Sequence, residues 1–415
     1  MRMLSPRGPM GYNNKKGGMS MRLIHCADIH IGAGRADGRE KDFALAFLHI
    51  AQLAIDHHAD ACLIAGDLFD RREINPRALS EATEVLLKLK EAGIAVYAIE
   101  GNHDKALYVD RESWMDYLDH QQLICLLRRP EGESLYVLKE DGGNVAFHDG
   151  LRIVGLPYAG TRTKELVQRL IEELPPYDGP TIAMLHCPVG AQMAMDNAYL
   201  PSNVVEALGE KVEYIALGHI HTAYSLSGIA FNPGAPESVR MDEAIGKEKG
   251  VYLVDVTADG CRAEHIAVNR RHSVRISVEL NEEMDASAAH SAICDAMEKG
   301  ATAGCLMSLI VTGSIAFSGD LLETERIRAY GKELQLGALD VQLRLSSVQG
   351  HKDVSMDMAA LERQVIEELW NDRGMDGARL VDITLQLKER ILYRDPDAIE
   401  EIALDVERLM EEELL

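Results

Sequence analysis

The sequence predicts an α/β protein: a sheet core flanked by helices, followed by a smaller α+β domain and a helical C-terminal region. Three observations predict it. Between Arg22 and Ile99, short apolar runs alternate with stretches whose apolar residues recur at helical spacing, in the order β-α-β-α-β. The apolar runs end on Gly, Asp, Asn or His, which places polar side chains at the carboxyl ends of strands, where open α/β sheets build their sites. Beyond Val268 the pattern changes, and Asn269-Arg270-Arg271-His272 reads as a link into a second unit.

The elements follow in order. Arg22 to Ala27 is a strand ending at Asp28. Phe43 to His57 is a helix with Phe43, Ala46, Phe47, Ile50, Leu53 and Ala54 on one face. Ala61 to Ala65 is a strand running into Gly66-Asp67. Pro76 to Ala92 is a helix with Pro in its first turn and Gly93 just past its end. Ile94 to Ile99 is a strand reaching Gly101-Asn102, and Leu151 to Gly155, Thr181 to Leu185, Tyr214 to Leu217 and Val251 to Val256 are further strands. In the second unit Ser273 to Leu280 alternates as a strand, Ser287 to Lys299 is helical, and Cys305 to Thr312 and Val341 to Ser346 are strands. From Met356 the pattern is helical, with stripes at Leu361, Val365, Ile366, Leu369 and at Ile399, Ile402, Ala403, Val406, Leu409. The expected organisation is a disordered extension over 1–20, a main domain over 21–268, an α+β capping domain over 269–350 and an acidic helical region over 351–415.

Bulk properties bound the function. A chain of 415 residues with 47% apolar and 27% charged residues is an ordinary globular protein of two or three domains. Apolar stretches are interrupted well before the roughly 18 residues that a membrane span needs. The N-terminus carries Arg2, Arg7, Lys15 and Lys16 but no apolar stretch of the secretory kind. Seven cysteines with no C-x-x-C pair read as reduced, mostly buried thiols, so a cytoplasmic location is expected. The net charge of −24 does not attract nucleic acid through the overall field. The acid is unevenly placed, with a dense run of Asp and Glu after His351.

Five blocks carry metal-type side chains: Asp28-Ile29-His30, Gly66-Asp67-Leu68-Phe69-Asp70, Gly101-Asn102-His103-Asp104, Leu185-His186-Cys187 and Gly218-His219-Ile220-His221. Each alone is ordinary, since Gly-Asp at a strand end is a common turn and a lone His a common core residue. Together, each after a strand, they read as a metal site. Two divalent ions about 3.5–4 Å apart need a bridging ligand, and a carboxylate offers one oxygen to each; Asp67 is the candidate. Asp28 and His30 share one face if the strand continues through them, and converge on one ion if the chain turns there. His219 and His221 repeat that spacing, Asn102 adds a neutral oxygen and His186 an imidazole. This nitrogen–oxygen set suits Mn²⁺, Fe²⁺ or Zn²⁺ better than Mg²⁺ or Ca²⁺.

These blocks resemble those of the calcineurin-like metallophosphoesterase superfamily, and within it the SbcD-like nuclease subunits of double-strand-break repair. The narrower likeness rests on His25-Cys26-Ala27-Asp28-Ile29-His30-Ile31-Gly32, on Gly66-Asp67-Leu68-Phe69-Asp70, and on Asn232-Pro233-Gly234-Ala235-Pro236-Glu237-Ser238, where Ala235 stands in place of the usual Ser. The resemblance covers Arg22 to Val268 well and the α+β unit loosely. It implies a metallophosphoesterase-type core and two Mn²⁺ ions, one held by Asp28, His30, Asp67 and His221, the other by Asp67, Asn102, His186 and His219. It implies a catalytic His103 near the scissile phosphate with Asp104 orienting it, DNA exonuclease and endonuclease activity, an SbcC-like coiled-coil ABC-type ATPase as partner, and a homodimer. The acidic C-terminal region is then the expected docking segment. The alternatives are a phosphodiesterase or phosphatase on small nucleotides or phosphorylated metabolites, which the net charge favours, and a non-catalytic scaffold, against which the intact Asn102 and His103 argue.

Overall fold

The computed structural model describes residues 20–107, 112–130, 132, 134–190, 198–244, 248–257, 260–347 and 358–371, with scattered positions from 378 to 388. The expected extension over 1–20 lies outside the described residues except for Ser20, as does most of the expected helical region over 351–415. The chain divides into two compact units, Met1–Ser346 and Ser347–Leu415.

The first unit opens with β1 (Ser20–Cys26), α1 (Glu40–Asp56), β2 (Ala61–Ala65), α2 (Pro76–Glu91), β3 (Ala95–Ile99), α3 (Trp114–His120) and β4 (Cys125–Leu126). It continues through β5 (Val145–His148), β6 (Leu151–Leu156), α4 (Thr163–Glu173), β7 (Thr181–His186), α5 (Ser202–Gly209), β8 (Tyr214–Gly218), β9 (Tyr224–Leu226), β10 (Ala230–Asn232), β11 (Gly250–Thr257) and β12 (Gly260–Ala267). The single sheet expected from strand–helix alternation is two. One runs β12-β11-β1-β2-β3-β4 and the other β5-β6-β7-β8-β10-β9. The strands from β1 to β4 are parallel, as are β6, β7, β8 and β10, while β11–β12, β5 and β9 pair antiparallel at the margins.

Strand side chains alternate between two apolar layers, as a period of two requires. Ile24, Cys62, Ile64, Val96 and Ala98 pack beneath α1 and α2, with Phe47, Ile50, Leu86 and Leu89. Leu23, Leu63, Tyr97 and Ile99 face the other way, onto Ile153, Ile182, Met184 and Tyr214 of the second sheet. The outer face of that sheet carries Ala183, Leu185, Ile215 and Leu217 against Leu166, Val167, Leu170 and Leu208 of α4 and α5. The result is helices, sheet, sheet and helices in four layers. Both faces of each central strand are buried, so these strands read as continuous apolar runs. Each fully buried Leu or Ile in such a layer contributes about 1.5–3 kcal/mol. His25 crosses the middle layer, its ring nitrogens 2.8 Å from the Tyr214 hydroxyl and 3.0 Å from the Leu217 carbonyl oxygen. Burial pushes its pKa down to about 3, so it stays neutral.

Helix ends follow local chemistry. Asn75 caps α2 by accepting from Ala78 N at 2.8 Å, and Pro76 fills the first helical position. The first turn of α1 begins three residues earlier than the apolar stripe, with Glu40 and Asp42 suited to the positive helix end.

After Val268 the chain builds its own sheet and core. β13 (Ser273–Leu280), α6 (Ala286–Gly300), β14 (Leu306–Ile315), α7 (Thr324–Glu333) and β15 (Ala338–Ser347) form a three-stranded sheet in the order β13-β14-β15. Ile293, Met297, Leu309, Val311 and Ile327 fill its interior. Arg271 of the link binds the buried Asp42 of α1 at 2.9 Å. In the second unit α8 (Met358–Asn371) makes the positions from 361 to 369 helical, as expected, while the stripe from Ile399 lies outside the described residues. All seven cysteines are free, and Cys26 and Cys187 are buried packing residues.

Candidate two-metal centre

The carboxyl ends of β1, β2 and β3 from one sheet meet those of β7 and β8 from the other, and all five blocks lie there. β1 ends at Cys26 and the chain turns, so Asp28 and His30 do not sit on a continuing strand. Asp28 (φ 53°), His30 (φ 52°), Asp67 (φ 53°) and His219 (φ 91°) all adopt left-handed backbone. Such positions cost on the order of 1–3 kcal/mol each in non-glycine residues and concentrate at functional sites. Backbone bonds hold the turn: Asp28 N to Gly66 O at 3.0 Å, Ile29 N to Asp67 O at 2.8 Å and Ile31 N to Leu68 O at 2.9 Å. Glycine is required beside it, because a Cβ on Gly101 would lie 2.0 Å from Asp67 Oδ1 and one on Gly66 would lie 2.2 Å from His186 Nδ1.

Two sets of donor atoms, each within 4.8 Å of one another, match the expected shells, Asp28, His30 and His221 in one and Asp67, His186 and His219 in the other, and a third set, His30, Asp67 and His103, draws one member from each. Asp67 Oδ2 lies 3.2 Å from His186 Nε2 and 3.9 Å from His30 Nε2, so this carboxylate reaches both sets. Asn102 Oδ1 lies 3.3 Å from His186 Nε2 and 3.0 Å from His219 Nδ1. Asp28 is anchored by His219 N, which donates to both its oxygens at 3.0 and 2.9 Å.

The donor set fits cations. His186 Nδ1 donates to Ala65 O at 2.7 Å, which turns its Nε2 lone pair toward the oxygens of Asp67 and Asn102. His221 Nδ1 meets the Glu243 carboxylate at 3.2 Å, which turns its Nε2 toward His30 Nε2 at 3.1 Å. Acceptors converge at van der Waals range or closer, an arrangement that a cation between them stabilises. Charges respond accordingly. Burial opposes a charge on His186, but the adjacent Asp67 carboxylate outweighs it and lifts its pKa to about 9, so without a cation a proton on Nε2 takes the place facing Asp67. Burial pushes Asp67 up, yet His186 holds it well below the usual carboxylate range. Burial lowers His30 to about 3, leaving the neutral imidazole that ligates metals.

His103 stands at the edge of this cluster, half-buried, its ring centroid 5.0 Å from that of His30. Its backbone N–H donates to Asp67 Oδ1 at 2.9 Å. Its Nδ1 meets the Asp70 carbonyl oxygen at 2.5 Å. The contact expected from Asp104 is therefore supplied by the backbone of Asp70. The buried Asp104 carboxyl instead accepts from Leu68 N at 3.2 Å, Phe69 N at 3.0 Å and Gly101 N at 3.0 Å, tying the second block to the third. Burial, with Asp67 nearby, pushes its pKa up to about 7 against those backbone donors.

Sequence reasoning missed several supporting residues. Asn232 donates to Ile220 O at 2.6 Å and Thr222 O at 3.0 Å, bracing the His-x-His turn. Lys249, 3% exposed, donates to His221 O at 2.7 Å. Tyr158 stacks on His219 with centroids 5.5 Å apart, and Lys105 Nζ lies over the Tyr158 ring at 4.9 Å from its centroid. Only Asn232 had a signal, its place in the Asn-Pro-Gly segment; Ala235 of that segment is fully buried.

Comparison with known proteins agrees with this geometry. Residues 21–223 match the family model described as calcineurin-like phosphoesterase. The DNA double-strand break repair protein Mre11 of Archaeoglobus fulgidus is 31% identical over 276 residues, and that of Saccharolobus solfataricus 28% identical over 251. These matches cover 64% and 58% of this chain and 61% of each relative, so the chain spans about three-fifths of their length. The uncharacterized metallophosphoesterase YhaO of Bacillus subtilis is 26% identical over 298 residues, 67% of this chain and 68% of that one. The five blocks all fall within the matched span, and the chain carries a calcineurin-like metallophosphoesterase domain.

Proposed function

We propose that this chain is a metal-dependent phosphodiesterase that cleaves DNA, as exonuclease and endonuclease, in double-strand-break repair. The observation that carries the reading is the pair of donor sets sharing Asp67, with His103 at their edge. Asp28, His30, Asp67 and His221 would hold one divalent ion and Asp67, Asn102, His186 and His219 the other, Mn²⁺ being preferred over Fe²⁺ or Zn²⁺. Such a pair of ions polarises a phosphodiester and supplies an activated water. With its Nδ1–H donated to the Asp70 carbonyl, His103 serves the leaving oxygen as the imidazolium, whose Nε2–H donates a hydrogen bond or a proton. Asp104 keeps the loops that present Asp67 and Asn102 in register.

Asn102 and His103 line a cleft of about 960 Å³ whose walls include Arg35, Arg71 and Arg72. Those arginines offer phosphate contacts on either side of the reacting bond. The same walls carry Asp37, Asp70 and Glu73, and Arg71 lies 3.4 Å from Asp70, so the cleft mixes both signs of charge. The net charge of −24 supports the second reading, a phosphodiesterase on small nucleotides. Purified chain with Mn²⁺ is expected to degrade linear DNA, with activity falling steeply as salt rises. Hydrolysis of bis-p-nitrophenyl phosphate with none of any DNA would overturn the first reading in favour of the second.

Among the described residues no helix is long and apolar enough to cross a membrane. Leu45 and Leu48 of α1 are 57% and 38% exposed and line a shallow groove with Ala44 and Val85, a face suited to a homodimer. Light scattering is expected to give twice the chain mass, reduced to one by Leu45→Glu with Leu48→Glu. Adding an SbcC-like ATPase is expected to give a larger complex that is lost when residues from Met356 onward are removed. An unchanged mass in either case rejects that contact.

A further inference from the structure

We propose that Glu243 is a positioning residue that fixes His221 toward the metal centre and couples that centre to the α+β domain. The inference rests on the metal reading above and deepens it. His221 is held at three points. Its Nδ1 meets Glu243 Oε2 at 3.2 Å, its carbonyl oxygen accepts from the buried Lys249 Nζ at 2.7 Å, and that same oxygen accepts from Ala235 N at 3.3 Å. The two backbone contacts set where the residue sits, and of the three it is Glu243 that acts on the imidazole, at Nδ1. A carboxylate on one ring nitrogen fixes the tautomer, leaves the other nitrogen unprotonated and raises its basicity toward a metal. Here the freed Nε2 is the atom that lies 3.1 Å from His30 Nε2 and within the Asp28, His30 and His221 set.

The origin of Glu243 makes this more than local support. It lies on a single 3₁₀ turn, Met241–Ala244. Met241, two residues earlier and 7% exposed, packs with Leu306 of β14 and Ala338 of β15. One short turn therefore has its apolar end in the α+β domain and its acidic end on a metal-facing histidine. A shift of that domain moves Met241 and, through the turn, the Glu243 carboxylate. Turns of this kind transmit displacement because packed contacts have discrete arrangements.

The test is a double-mutant cycle read by Mn²⁺ calorimetry on the full chain, alongside thermal unfolding in chelator. Glu243→Ala is expected to weaken one of two Mn²⁺ sites by about 10–100-fold. Glu243→Gln, which keeps a hydrogen-bond acceptor, is expected to recover part of that loss and serves if the alanine variant does not fold. Met241→Ala is expected to weaken the same site by about 3–10-fold, and the double variant to be no weaker than Glu243→Ala within about threefold, because both act through one turn. Unaltered affinity in both Glu243 variants overturns the positioning role. Multiplying effects in the double variant overturn the coupling. A wild-type chain that binds no Mn²⁺ instead overturns the metal reading itself, a result distinguishable from either.

Discussion

Asp67→Asn is expected to leave the chain folded, to reduce bound Mn²⁺ from two per chain to one or none, and to lower phosphodiesterase turnover by about 10³-fold, or ~4 kcal/mol of barrier. The substitution isolates charge. Asn is among the residues that best tolerate left-handed backbone, so φ 53° at this position adds no new strain. The amide oxygen can still accept from His103 N, now 2.9 Å from Oδ1. The amide nitrogen would then face His186 Nε2, whose lone pair it can satisfy, so the unoccupied fold keeps its hydrogen bonds. What is lost is the anionic oxygen that reaches both donor sets. Stability without metal should therefore change by no more than about 1–2 kcal/mol, whereas the thermal shift that saturating Mn²⁺ produces should collapse. At a hundredfold excess over its dissociation constant a ligand stabilises by about 2.7 kcal/mol, so the loss is measurable by scanning calorimetry. A variant that still binds two Mn²⁺ ions would remove Asp67 from the bridging position.

The legible part of this molecule was its chemistry and the order of its main strands. The five blocks stand at strand ends in the sequence and at strand ends in space, because a glycine or an acid that stops an apolar run also marks where the chain leaves a sheet. The second sheet was not legible. A strand buried on both faces has no polar alternation, so Ala61–Ala65 or Thr181–His186 cannot indicate whether a helix or another sheet covers a given face. Marginal strands were missed for the opposite reason: β9 and β10 have three residues each, too few for a period to register. Asp-x-His admitted two geometries, and the turn was decided by hydrogen bonds from Asp28 and Ile29 to the second block, which are long-range. Asp104 illustrates a further limit. The resemblance implied that it orients His103, yet its carboxyl serves backbone N–H groups from 35 and 36 residues away. Glu243 and Lys249 carry no motif, since nothing but folding brings them to His221.

His103→Ala is expected to separate catalysis from metal binding in the way that Asp67→Asn does not. No donor atom of His103 is needed to complete either proposed shell, and its side chain is held by the Nδ1 contact with the Asp70 carbonyl and by edge packing on the His30 ring. Removing it should therefore leave two Mn²⁺ ions bound, with affinities within about threefold of wild type, while turnover on DNA falls by about 10²–10⁴-fold, the usual contribution of a positioned acid or base. Loss of metal with loss of activity would place His103 among the ligands, as its approach to His30 and Asp67 also permits geometrically. The leaving group makes the test sharper. A deoxyribose alkoxide is a poor leaving group and gains much from a proton or a strong hydrogen bond, whereas p-nitrophenolate needs little help. If His103 acts on the leaving oxygen, the variant should be impaired on bis-p-nitrophenyl phosphate at least about tenfold less than on DNA. Equal impairment on both substrates would assign the imidazole to the charge on the non-bridging oxygens instead, a contribution that does not depend on what departs. The comparison needs only one variant and two substrates, and the ratio of the two losses is insensitive to the fraction of protein that is active.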